Sequence, residues 1–206
     1  GGRKAGIPGE DAEGVLTAVD FLREVGAKES FDLEGDVVVI GGGNVAVDAA
    51  RCSGRVGEYK VSMFCLEDKE HMPASLEEIE EAEEENVSIN CGWGPKEIIS
   101  ENGKVTGVVF KKCVSVTDTE CRFAPVYDES DTMTIDCKHV IFSVGQGIEW
   151  GNLLDGTKVE LNHANRAVAD SLTYQTAEPD IFVGGDVYTG PRFAIDAIAA
   201  GREGAI

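Results

Sequence analysis

The chain contains no C-x-x-C pair, although it has six cysteines, at positions 52, 65, 91, 113, 121 and 137. No Cys/His cluster has the spacing of zinc ligands, so a zinc finger and a vicinal dithiol are both excluded by the pattern. Scattered single cysteines of this kind are expected to be buried thiols. Positive charge is also scarce: 18 basic residues stand against 38 acidic ones, a net charge of −20. Such a surface repels nucleic-acid phosphates and anionic membranes, so neither is expected as a partner. No apolar run approaches the ~20 residues of a membrane span. Gly1-Gly2-Arg3-Lys4 leads into Ile7-Pro8-Gly9 rather than an apolar stretch, so no signal peptide is expected and the cytoplasm is the expected location. There are three histidines, His71, His139 and His163. They read as loop or surface residues, not proton donors.

What is present is an ordinary hydrophobic content of 42%, distributed in periodic segments. From Ala12, the spacing of Val15, Leu16, Val19, Phe21, Leu22 and Val25 predicts an amphipathic helix ending near Gly26. Val37-Val38-Val39-Ile40 is an unbroken β-branched run, the signature of a strand buried on both faces. Val45 to Ala50 follow at helical spacing, Val61 to Leu66 form a second strand, and Val87-Ser88-Ile89 a third. Between the last two, residues 77–85 carry seven glutamates in a predicted helix. Its apolar side holds Leu76, Ile79 and Ala82, and its acidic side reads as a solvated face.

Glu97-Ile98-Ile99, Val105 to Val116 and Met133-Thr134-Ile135 are extended runs separated by turn residues. Asn102-Gly103 is a strong hairpin signal between the first two. Val140 to Val144 returns as a buried strand closed by Gly145. Asp180 to Val183 reads as a short strand closed by Gly184-Gly185-Asp186, and Phe193 to Ala200 begins a helix. The expected fold is α/β: a doubly wound, Rossmann-like parallel sheet with an antiparallel β-meander.

The chemistry is expected at the first strand-to-helix turn, Gly41-x-Gly43-x-x-Ala46. There Gly41 makes the tight turn, Gly43 admits a pyrophosphate and Ala46 permits close helix–strand packing. The amides of Asn44 and Val45 face the phosphates with the favourable end of the helix dipole, and Asn44 is placed to cap that helix. The second strand ends in Leu66-Glu67-Asp68. A carboxylate there can accept from the ribose hydroxyls of NAD(H) and would repel the 2′-phosphate of NADP(H). Glu67 and Asp68 are therefore the candidate ribose ligands, and NAD(H) is favoured over NADP(H).

Ile7-Pro8-Gly9-Glu10-Asp11, Gly41 to Asp48 (GGGNVAVD), Met72-Pro73-Ala74 and Gly185-Asp186-Val187 occur in the order found in the small subunit of glutamate synthase. Over essentially its whole length the chain resembles that family of FAD-dependent pyridine-nucleotide oxidoreductases. The resemblance implies a nicotinamide domain at residues 35–144 inserted in an FAD-type α/β domain, of which 1–34 and 145–206 would be an incomplete part. It implies further that Gly185 and Asp186 hold the ribityl chain of FAD. The helix starting at Arg192, Phe193 and Ala194 would turn its amides to the isoalloxazine, and Gly145 would complete the cofactor-binding set. The family generally carries basic residues where this chain has Leu66 and Glu67, which again favours NADH. The family's first FAD fingerprint is absent from these residues, so the chain is expected to be part of a longer polypeptide that also bears iron–sulfur or other electron-acceptor centres. No catalytic side chain and no metal ligand is nominated, since hydride transfer needs neither. The lack of a C-x-x-C disfavours disulfide reduction. Two rivals are a non-catalytic dinucleotide-binding or regulatory module and a methyltransferase-like fold, against which the Gly185-Asp186 segment speaks.

Overall fold

In the computed structural model, residues 1–27, 33–57 and 59–205 are described. They divide into two compact units, Gly1–Gly147 and Ile148–Ile206.

The first unit is built on a five-stranded, wholly parallel sheet. Its strands are β1 (Val15–Thr17), β2 (Val37–Ile40), β3 (Val61–Cys65), β4 (Ser88–Cys91) and the final β8 (His139–Phe142). They lie in the order β1-β8-β2-β3-β4. Helices α1 (Ala18–Ala27), α2 (Asn44–Val56) and α3 (Leu76–Glu84) contribute to the core on one face. The other face is closed by an antiparallel sheet of β5 (Trp93–Glu101), β6 (Lys104–Thr117) and β7 (Phe123–Asp136).

The pattern of β2 shows why its sequence does not alternate. Val37 and Val39 pack toward the helices, whereas Val38 and Ile40 pack toward β5, β6 and β7. Both faces are dry, so all four positions are apolar. The Phe64 and Phe110 rings stack across the two sheets with centroids 4.0 Å apart, a contact that ties β3 to β6. Asn102 and Gly103 both take positive φ, 51° and 78°, and close the β5–β6 hairpin as the Asn-Gly signal requires. The amide of Ile98 donates to Pro8 O, and Glu10 accepts from the amides of Gly6 and Ile7, so the Ile7–Asp11 loop is folded on itself and fastened to β5.

Four expectations need correction here. The helix expected from Ala12 begins only at Ala18: Val15–Thr17 pair with Val140–Phe142, because the sheet offers β8 as a parallel partner. Val15–Thr17 thus belong to the same sheet as β2, β3, β4 and β8, and to the same unit. Leu76 is 67% exposed and does not join Ile79 and Ala82 in the core. The acidic side of α3 is more than a solvated face, since Glu78, Glu81 and Glu85 all converge on Arg51 of α2. His139 is neither loop nor surface; it opens β8 half-buried. Burial lowers its pKa, and its Nδ1 has no partner among the described residues.

The second unit is mostly irregular, with α4 (Asp186–Thr189) and α5 (Ala194–Glu203). The strand expected over Asp180–Val183 is only an isolated bridge, Gln175 with Phe182. Its neighbour, residues 174–176, takes up only two backbone bonds, Thr176 N to Ile181 O and Val183 N to Tyr174 O, too few to extend a ladder. Arg166 donates to Thr189 O at 3.0 Å and Tyr174 Oη donates to Glu203 at 2.8 Å, fastening the loops to both helices.

Candidate functional site

β2 lies where the chain order of the sheet reverses, with β8 on one side and β3 on the other. Such a switch point opens a crevice at the carboxyl ends of the strands, where ligands of open α/β sheets bind. The glycine-rich turn occupies it. Gly41 has φ 146°, its amide donates to Phe64 O, and a Cβ at that position would collide with Ser143 O. Only glycine fits. Gly43 is the opposite case: its φ of −92° suits any residue, yet a Cβ there would meet nothing within 4 Å. The turn therefore leaves open the space in which a pyrophosphate would lie. Ala46 is fully buried at the helix–sheet contact.

At the start of α2 no protein acceptor among the described residues takes up the amides of Asn44 and Val45. Two open amides at the positive end of a thirteen-residue helix can receive an anion. The expected capping role of Asn44 does not hold. Gly43 is the N-cap with no side-chain bond, and Asn44 Oδ1 instead accepts from the amide of Ser75 at 2.9 Å. Next to it, the amide of Ala74 donates to Gly42 O at 3.0 Å. The Met72-Pro73-Ala74-Ser75 segment thus braces the turn from outside. Met72-Pro73-Ala74 stands out in the sequence as a motif, but its bracing role depends on contacts that span 31 and 32 residues and was not readable there.

Glu67 and Asp68 differ. Asp68 Oδ1 accepts from the amides of Glu70 and His71 at 3.0 Å each and lies 2.7 Å from His71 Nδ1. It caps the single 3₁₀ turn Lys69–His71, and the His71 contact holds its pKa below the usual carboxylate range. Glu67 is turned to the glycine-rich loop: its Oε2 lies 3.0 Å from where a Cβ on Gly42 would stand. The two acids are neighbours in sequence, but only Glu67 faces the glycine-rich turn. Gly145 follows β8 with φ 105°, solvent-exposed, its carbonyl accepting from Arg3 N.

Within the second unit, Gly185 has φ 66° and precedes α4. A Cβ on Gly184 would stand 2.9 Å from Ala200 Cβ, and one on Gly185 3.0 Å from Ala197 Cβ. Small residues on both sides let the Gly184-Gly185 turn lie against α5. Asp186 is exposed, and its Oδ1 receives the Arg192 amide at 3.4 Å. The Phe193 amide donates to Asp196 Oδ2, while Ala194 begins α5. Phe193, Ile195 and Ile198 are 80%, 68% and 65% exposed.

The chain is similar to known proteins in both sequence and fold. The chain is 33% identical over 221 residues to the glutamate synthase [NADPH] small chain of Escherichia coli (strain K12), covering 98% of this chain and 46% of that protein. It is 32% identical over 210 residues to the NADP(+)-dependent formate dehydrogenase subunit beta of Moorella thermoacetica, covering 98% and 29%. The chain thus spans about a third to a half of the length of these relatives. In fold it is similar to T. acidophilum thioredoxin reductase (TM-score 0.74, 22% identity, 100% of this chain and 60% of that one). It is also similar to FprA from Mycobacterium tuberculosis (TM-score 0.71, 19% identity, 99% and 58%). These structural likenesses bear on the fold alone. The model of the pyridine nucleotide-disulphide oxidoreductase family matches residues 1–201, and the chain belongs to that family.

Proposed function

We propose that this chain is the nicotinamide-binding portion of a flavoprotein oxidoreductase, that it takes NADH in preference to NADPH, and that it serves transfer of hydride between the nicotinamide and FAD. When bound, the flavin supplies the exchange between two-electron and one-electron transfer. The chain's own residues bind, orient and exclude water. Gly43 leaves room for the pyrophosphate, the Asn44 and Val45 amides carry its charge, and Ala46 keeps the helix close to the sheet. Toward FAD, Gly185 and Asp186 are the residues for the ribityl chain, with Arg192, Phe193 and Ala194, which lead into α5, beside the ring. The close Gly184-Gly185 turn and the exposed apolar side chains of α5 suit a surface completed by a flavin and the rest of its domain. Electrons would leave for iron–sulfur or other acceptor centres on another domain or subunit. Residues 35–144 are the proposed nicotinamide domain, whose sheet β1 completes, and residues 145–206 are assigned to the flavin domain.

The observation that carries the cofactor preference is the orientation of Glu67. It alone of the two acids after β3 points at the glycine turn, placed to accept from ribose hydroxyls and to repel a 2′-phosphate. The two relatives described above carry NADPH or NADP(+) in their names; the NADH preference rests on this residue. Titration of the full chain with each dinucleotide tests it. NADH should bind at least about tenfold tighter, and Glu67→Arg should reverse the order. Tighter binding of NADPH by the wild type would refute the preference. Anaerobic addition of NADH to the flavin-loaded full chain should bleach the flavin absorbance; binding without bleaching would favour the non-catalytic module.

A further inference from the structure

Cys65 and Cys91 stand directly opposite each other on β3 and β4, at the carboxyl ends of two adjacent parallel strands. Their sulfurs are 3.7 Å apart, and Cys91 Sγ is 3.8 Å from Met72 Sδ. Cys65 and Met72 are buried, while Cys91 is half-buried on β4, the edge strand of the sheet. These cysteines are therefore not the isolated thiols that their 26-residue separation in sequence implies. Three soft donors meet in one place, reached from the sheet edge.

The backbone decides what the two thiols can do. Adjacent strands run about 4.8 Å apart, and side chains paired in register leave the sheet on the same face, which keeps their Cβ atoms near that spacing. A disulfide needs Cβ atoms about 3.5–4.5 Å apart, so direct bonding would pull the strands together. A bridging metal fits without such a shift. With metal–sulfur bonds of about 2.3 Å, donors at tetrahedral to trigonal angles lie about 3.8–4.0 Å from one another.

We propose that Cys65, Cys91 and Met72 form a binding site for a soft monovalent cation of the Cu(I) class. Thiolate and thioether donors select such a cation over hard ones. Binding of one Cu(I) forms two thiolate bonds and one thioether bond and releases two protons to solvent, with no change of oxidation state. The site adjoins the cofactor turn: a Cβ on Gly42 would stand 3.0 Å from Cys65 Cβ, and Met72 begins the segment that braces that turn.

The test is anaerobic titration of the full chain with Cu(I) in competition with a chromophoric copper chelator. One equivalent should be retained by the wild type and by Cys121→Ser, whose cysteine is exposed and elsewhere in the fold. Cys65→Ser/Cys91→Ser should lose it, and Met72→Leu, which keeps the volume of the core, should weaken it at least about tenfold. In the wild type, one equivalent of Cu(I) should also block alkylation of Cys91, read by peptide mass mapping; this readout stands if the double variant fails to fold. Undiminished uptake in the double variant, unchanged affinity in Met72→Leu, or alkylation of Cys91 undisturbed by Cu(I) would each overturn the proposal.

Discussion

The Ser75 amide donates to Asn44 Oδ1 at 2.9 Å, and this bond joins the first residue of α2 to the residue that caps α3. Asn44 is thereby turned away from capping its own helix, and the amides beside it stay open. The bond should matter more for ligand binding than for folding. Asn44→Ala is expected to cost about 1 kcal/mol of stability in urea unfolding. It should weaken dinucleotide affinity several-fold, and Asn44→Asp, which keeps the acceptor, should recover most of the lost stability. Equal affinity in Asn44→Ala and wild type would show that the brace does not hold the turn.

Two glycines of the same turn should respond in opposite ways. Gly41→Ala forces a side chain into a φ of 146° and against Ser143 O, and should destabilise the fold by at least about 1–3 kcal/mol. Gly43→Ala meets no protein atom and should unfold like the wild type, but its methyl group enters the space left for pyrophosphate. Denaturation midpoints and dinucleotide titration, measured on both variants, separate the two effects. A Gly43→Ala protein that binds as well as the wild type would place the phosphates elsewhere.

Asp68→Ala removes the cap of the 3₁₀ turn Lys69–His71 and should lower the denaturation midpoint slightly. Its ratio of NADH to NADPH affinity should equal that of the wild type, because Asp68 is spent on local amides and His71. A changed ratio would mean that both acids meet the ribose.

The ion-pair cluster between α2 and α3 predicts a specific acid sensitivity. The Arg55 and Arg51 guanidiniums hold the Glu85 carboxyl down at about 2, from an ordinary 4.5. A carboxyl whose folded pKa is depressed contributes stability that is complete above its unfolded value and fades as pH falls from about 4.5 to about 2. Glu85→Gln should therefore unfold more easily than wild type at neutral pH, and the gap between them should close as pH falls through that window. A constant gap across the window would contradict the assignment.

Phe110→Ala breaks the ring stack with Phe64 that joins the two sheets, and should destabilise by about 3–5 kcal/mol. Loss of less than about 1 kcal/mol in chemical denaturation would show that the sheets are held together by other contacts.

Several features were settled by local chemistry and are legible in the residues themselves. Val37-Val38-Val39-Ile40 can only be dry on both faces, Asn102-Gly103 closes a hairpin, and Gly41-x-Gly43-x-x-Ala46 makes a tight turn between a strand and a helix, because each depends on backbone geometry or side-chain period within a few residues. The structure decided what depends on distant partners. Val15–Thr17 became strand because β8, 125 residues later, offers a ladder. Asp180–Val183 stayed a single bridge, because residues 174–176 take up only two of its backbone bonds. Asn44 answers to Ser75 in place of its own helix, Glu67 and not Asp68 faces the turn, and Cys65 meets Cys91, because the sheet's order and register, which no local window contains, bring those atoms together.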